Sequence, residues 1–118
     1  NLPEEAFGIK DLVEKYKKVQ YDFHQGTILP IGEEPSGRSW TGFQSLCHSK
    51  RGYFLIYRED NPSEEAWIET WLPEGVEVAC TSILGNGRTM TTTVGRKGTI
   101  KVSLPEKNDF MLYRYEIR

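Results

Sequence analysis

The 118-residue sequence predicts a mainly β fold, an antiparallel β-sandwich of about seven strands preceded by one N-terminal α-helix. Three observations carry that expectation. Helical periodicity is confined to the first two dozen residues. Strand-like runs fill the chain from Gly42 onward, and short words rich in Gly, Pro and Asn separate them. The chain therefore divides into an N-terminal helix over residues 1–26 and a β-sandwich domain over residues 27–118.

The helix is expected from Pro3 to about His24. Apolar residues recur there at Ile9, Leu12, Val13, Tyr16, Val19 and Phe23, the i, i+3, i+4, i+7 spacing of one helical face. Pro3 suits the first helical position, Glu4 and Glu5 favour the positive end of the helix dipole, and Lys15, Lys17 and Lys18 favour the later turns. Gly26 is placed to end it as a C′ residue. A lone helix with such a stripe has to bury it, either against the following sheet or against a domain outside this chain.

Residues Ile31 to Gln44 (IGEEPSGRSWTGFQ) read as a built joint, too irregular for a helix or a strand, with Trp40 and Phe43 as its anchors. Strands then follow at Gly42–Cys47, Tyr53–Glu59, Ala66–Leu72, Val76–Ile83, Arg88–Val94, Thr99–Leu104 and Asp109–Ile117. Alternation is cleanest at Ile100, Val102 and Leu104 and at Val76, Val78 and Cys80, which gives one dry and one wet face. Tyr53 to Tyr57 is apolar on both faces and belongs in the centre of a sheet. Asn86-Gly87 suits a two-residue type I′ hairpin, because both central positions need positive φ.

Composition narrows the function. Fifteen basic against 17 acidic residues leave a net charge of −2, which provides no long-range attraction to nucleic acid or to an anionic membrane surface. No apolar run approaches the ~20 residues of a membrane span, and no basic leader precedes an apolar stretch. Cys47 and Cys80 form neither a Cys-x-x-Cys word nor a zinc-ligand pattern, and two buried thiols are favoured over one disulfide. His24 and His48 have no partner at metal-ligand spacing, so no metal or other cofactor is expected.

Catalytic patterns are equally sparse. A glycosidase needs two carboxylates roughly 5–10 Å apart. Glu33-Glu34 is the only tempting pair, and adjacent residues in a Pro/Gly-rich segment usually splay into solvent. Asp60, Glu64 and Glu65 read as an exposed loop. No Gly-x-Ser-x-Gly elbow is present, and no histidine is placed by motif to serve as a base. Aromatic residues offer more. Trp67 and Trp71 lie four apart on one expected strand, so they share a face about 13 Å apart and could hold two sugar rings. The competing reading is that they fill a core or a contact with another domain.

Four words of the sequence resemble the C-terminal region of glycoside hydrolases of the α-galactosidase (melibiase) type. They are residues 26–32 (GTILPIG), 39–44 (SWTGFQ), 52–59 (GYFLIYRE) and 109–113 (DFMLY), and their order spans nearly the whole chain. The resemblance implies a β-sandwich that follows a catalytic (β/α)₈ barrel bearing an aspartate nucleophile and an aspartate acid/base. No position here matches the motifs around those aspartates, so no catalytic residue carries over. It further implies that the helix resembles the last barrel helix or the connector after it.

The expected function is therefore a non-catalytic accessory β-sandwich domain that packs against, and supports, a barrel absent from this chain. Ile9, Leu12, Val13, Tyr16, Trp40 and Phe43 are the expected interdomain contacts. Self-association through the helix stripe is a further expectation. The second reading is a carbohydrate-binding module using Trp67 and Trp71, and the third an independent hydrolase using Glu33 or Glu34.

Overall fold

A computed structural model describes Lys17, Lys18, Tyr21, Phe23 and residues 25–118. Most of the helix expected over residues 3–24 lies outside them. Lys17, Lys18, Tyr21, Phe23 and Gln25 have helical backbone, and no helical element is defined among the described residues apart from one 3₁₀ turn at Arg96–Gly98.

Eight strands follow in order: β1 (Thr27–Gly32), β2 (Trp40–His48), β3 (Arg51–Arg58), β4 (Glu65–Glu69), β5 (Glu77–Gly85), β6 (Met90–Thr93), β7 (Thr99–Ser103) and β8 (Asp109–Ile117). Six of them form one sheet in the order β1-β2-β3-β8-β5-β6, and β4 and β7 form a separate two-stranded ribbon. Every pairing is antiparallel. The fold is thus mainly β with antiparallel sheets.

The ribbon lies over one face of the large sheet, and the core sits between them. From the sheet come Phe54, Ile56, Val78, Cys80, Met111, Tyr113 and Tyr115; from the ribbon come Ile68, Ile100 and Val102. Phe54 and Tyr115 stack with ring centroids 4.5 Å apart. The opposite, outer face of the sheet carries a smaller cluster of Tyr53 and Leu112, with Phe23, Cys47, Leu55, Ile83 and Leu84 packed against it. This explains why β3 is apolar on both sides: it is central, between β2 and β8, with side chains covered on each face.

Two expectations need correction. First, the joint is largely strand at its ends: β1 pairs with β2 from Thr27↔Leu46 to Gly32↔Thr41, leaving only residues 33–39 as a loop. Pro30 and Gly32 disguise β1 in the sequence, yet a proline is tolerated there because β1 is an edge strand. Second, Asn86-Gly87 is not a type I′ turn. The positive φ belongs to Gly85, and the β5–β6 pairing closes at Cys80↔Met90, leaving a wide connection. Beyond that point β5 pairs with β8 instead, past a bulge between Ser82 and Leu84. Asn86 Nδ2 donates to Asp109 Oδ2 at 2.7 Å, which ties the connection to the start of β8. Gly26, expected as the residue that ends the helix, directly follows the helical Gln25 and is itself non-helical. A side chain there would strike Ser45 Oγ and the Leu46 carbonyl, so glycine is required by close approach.

Candidate functional site

The two exposed tryptophans, Trp67 and Trp71, are grouped on the outer side of the ribbon. Alternation along β4 sends Ile68 inward, and it persists past the strand end, with Thr70 and Leu72 also buried. Thr70 maintains the pattern because its N–H donates to the Gly98 carbonyl at 2.9 Å, prolonging the ribbon's pairing toward the 3₁₀ turn. Trp67, Glu69 and Trp71 consequently form one outward row. Trp67 is 65% exposed and Trp71 59% exposed. The two tryptophans are therefore absent from the core, as a binding surface requires.

Trp71 is held in place despite its exposure. Its indole Nε1 donates to the Pro30 carbonyl at 2.8 Å, and its backbone N–H donates to Gln44 Oε1 at 2.8 Å. Gln44 is fully buried, and its Nε2 donates to the Tyr115 hydroxyl at 2.9 Å. One core amide thus links the interior to the exposed row. Glu69, Trp71 and Lys97 line a recess of about 400 Å³ with Pro30 and Gly32.

The loop of residues 33–39 is organised differently. Glu59 Oε1 accepts from the backbone N–H groups of Ser36, Gly37 and Ser39 at 3.2, 3.1 and 3.0 Å. These bonds, led by the one from Ser39, hold the Glu59 carboxyl below its ordinary range. Ser39 Oγ donates to the Glu34 carbonyl at 2.7 Å, and Glu33 Oε1 accepts from the Trp40 N–H at 3.3 Å. The Glu33 carboxylate is thus engaged with backbone at the entry to β2, while Glu34 is exposed.

The expected interdomain residues separate into three groups. Ile9, Leu12, Val13 and Tyr16 lie outside the described residues. Trp40 is 3% exposed in the core, with Nε1 donating to the Ser63 carbonyl at 3.1 Å, so it pins the joint to its own domain. Phe43 faces solvent at 44% exposure on the outer side of the sheet. There it belongs to an apolar band: Pro30, Phe43, Leu55, Leu112 and Leu84 are successive partners across β1, β2, β3, β8 and β5. Tyr57 and Phe110 extend the band, with centroids 6.2 Å apart.

Cys47 and Cys80 are not joined in a disulfide. Cys80 belongs to the inner core and Cys47 to the outer cluster, so the sheet separates them. Burial pushes the Cys80 thiol up to about 12, and it likewise pushes the Tyr113 hydroxyl up to about 12. Among the described residues no group of three or more His, Cys, Asp or Glu could hold a metal ion. None of their helices is long and apolar enough to cross a membrane. Gln44 and Glu59 are the positions that sequence reasoning missed. A polar residue at an inward position of an alternating strand signals the first, and a carboxylate that follows a strand facing a Gly/Ser loop signals the second.

No family model, curated protein or solved structure matches this chain.

Proposed function

We propose that this chain is a non-catalytic accessory β-sandwich domain of a carbohydrate-active enzyme of the α-galactosidase type, docked against a catalytic barrel that it supports. The observation that carries the reading is the apolar band on the outer face of the six-stranded sheet. Phe43, Tyr57 and Phe110 are 44, 41 and 36% exposed on adjoining strands, and a contiguous exposed apolar surface of this kind marks an interface. Burying such a band against a neighbouring domain fits an interdomain surface of roughly 600–1,500 Å². The resemblance of the four sequence words to α-galactosidase C-terminal regions supplies the identity of the neighbour.

Two measurements test this. In the polypeptide that includes the barrel, Phe43→Asp with Phe110→Asp lowers the barrel's thermal midpoint, whereas the isolated domain is unaffected; an unchanged barrel overturns the docking role. The isolated chain turns over no aryl α-galactoside. Turnover that is abolished by Glu33→Gln or Glu34→Gln overturns the non-catalytic reading altogether.

A second reading, a carbohydrate-binding module, is favoured by one specific observation. Trp67 and Trp71 share the outward row of the ribbon and are both mostly exposed. Sugar rings stack their apolar faces on such indoles while neighbouring polar groups take the hydroxyls.

A further inference from the structure

We propose that the recess beside Trp71 is a subsite for one neutral hexopyranose ring, with the Trp71 indole as its platform, Glu69 as hydroxyl acceptor and Lys97 as hydroxyl donor. The proposal rests on the carbohydrate-binding reading and says which of the two tryptophans anchors the sugar. Three observations point to Trp71 and not Trp67. Trp71 is tethered twice, its indole through Nε1 to the Pro30 carbonyl and its main chain through the N–H to Gln44 Oε1. A tethered ring loses little freedom when a ligand stacks on it, which is the general advantage of preorganisation. Among the described residues Trp67 has no comparable tether: the residue paired with it is Lys101, whose ammonium forms an ion pair with Glu65 at 3.3 Å.

The polar groups of the recess are also uncommitted. Glu69 and Lys97 line it with Trp71, and neither forms an ion pair among the described residues. An apolar platform flanked by one free acceptor and one free donor matches a ligand with a flat apolar face and a rim of hydroxyls. A purely apolar partner would leave both charges desolvated.

Lys97 itself supplies the third observation. It stands at φ 59°, ψ 22°, in the left-handed region, between Arg96 and Gly98 in the turn Gly95-Arg96-Lys97-Gly98. A glycine adopts that conformation without the steric cost a lysine carries. Neither hydrogen bond nor ion pair of its side chain within the described domain accounts for a lysine there. Strained residues of this kind are concentrated at ligand sites.

The test uses the 118-residue chain and follows the indole Nε1–H resonances while methyl α-galactoside or methyl β-glucoside is added into the millimolar range. The expected result is a saturable shift of the Trp71 indole. Trp71→Ala weakens binding about tenfold or more, the effect of losing one aromatic stacking partner, and Trp67→Ala leaves binding of the single ring within about twofold, since no platform contact is lost. Lys97→Gly, which relieves the strained backbone, weakens binding without lowering the thermal midpoint, so lost affinity cannot be ascribed to a damaged fold. Persistence of binding in Trp71→Ala together with its loss in Trp67→Ala overturns the subsite and leaves the carbohydrate-binding reading in place. Undiminished binding in Lys97→Gly overturns the donor role. Absence of any saturable shift with both glycosides overturns the subsite and that reading together.

Discussion

The two sides of β4 and of the segment that continues it differ sharply. Ile68, Thr70 and Leu72 point inward at 1, 9 and 6% exposure, whereas Trp67 and Trp71, offset by one residue, are 65 and 59% exposed. The core has an indole of its own in Trp40. Two of the three tryptophans are therefore placed where they contribute least to folding. The inward row stabilises the ribbon, and the outward row is left exposed.

Substitutions that separate these roles should sort by size. Ile68→Ala should have the largest effect, about 2–5 kcal/mol lost, because it removes a fully packed side chain that joins the ribbon to the sheet; urea unfolding measures it. Gln44→Ala should follow at about 1–3 kcal/mol, since the Trp71 N–H and the Tyr115 hydroxyl each lose a partner. The same variant should shift the Trp71 indole resonance, which a purely local core defect would not do.

Acid should act on the joint. The folded Glu59 carboxyl titrates below its ordinary value of 4.5, so its contribution is fully present above that pH and is lost as pH falls through the lower folded value. Amide shifts of Ser36, Gly37 and Ser39 should move together over that range, and Glu59→Gln should abolish the step. Smallest of all, Trp67→Ala should change stability by no more than about 0.5 kcal/mol, in keeping with an exposed position.

How much of this was legible beforehand depends on whether local pattern and tertiary setting agree. Ile100 and Val102 alternate and are buried as the pattern demands, and Trp67 and Trp71 share a side because the period of two survives past the strand end. β1 is hidden because Pro30 and Gly32 are turn-forming residues locally, and only its edge position makes it a strand. The Asn86-Gly87 word misleads because β8 competes for β5 and draws its second half away from β6. The roles of Gln44 and Glu59 depend on partners 71 and 20 to 23 residues away, and no local window contains both ends of those bonds.

The division between the two rows of β4 is most directly tested with the Trp67→Ala, Trp71→Ala double variant, by urea unfolding in the presence and absence of methyl α-galactoside. Without sugar the double variant should unfold within about 1 kcal/mol of the unsubstituted chain, and the sugar-dependent stabilisation expected of the unsubstituted chain should disappear. A loss as large as that of Ile68→Ala, or sugar stabilisation that survives the double substitution, would contradict that division.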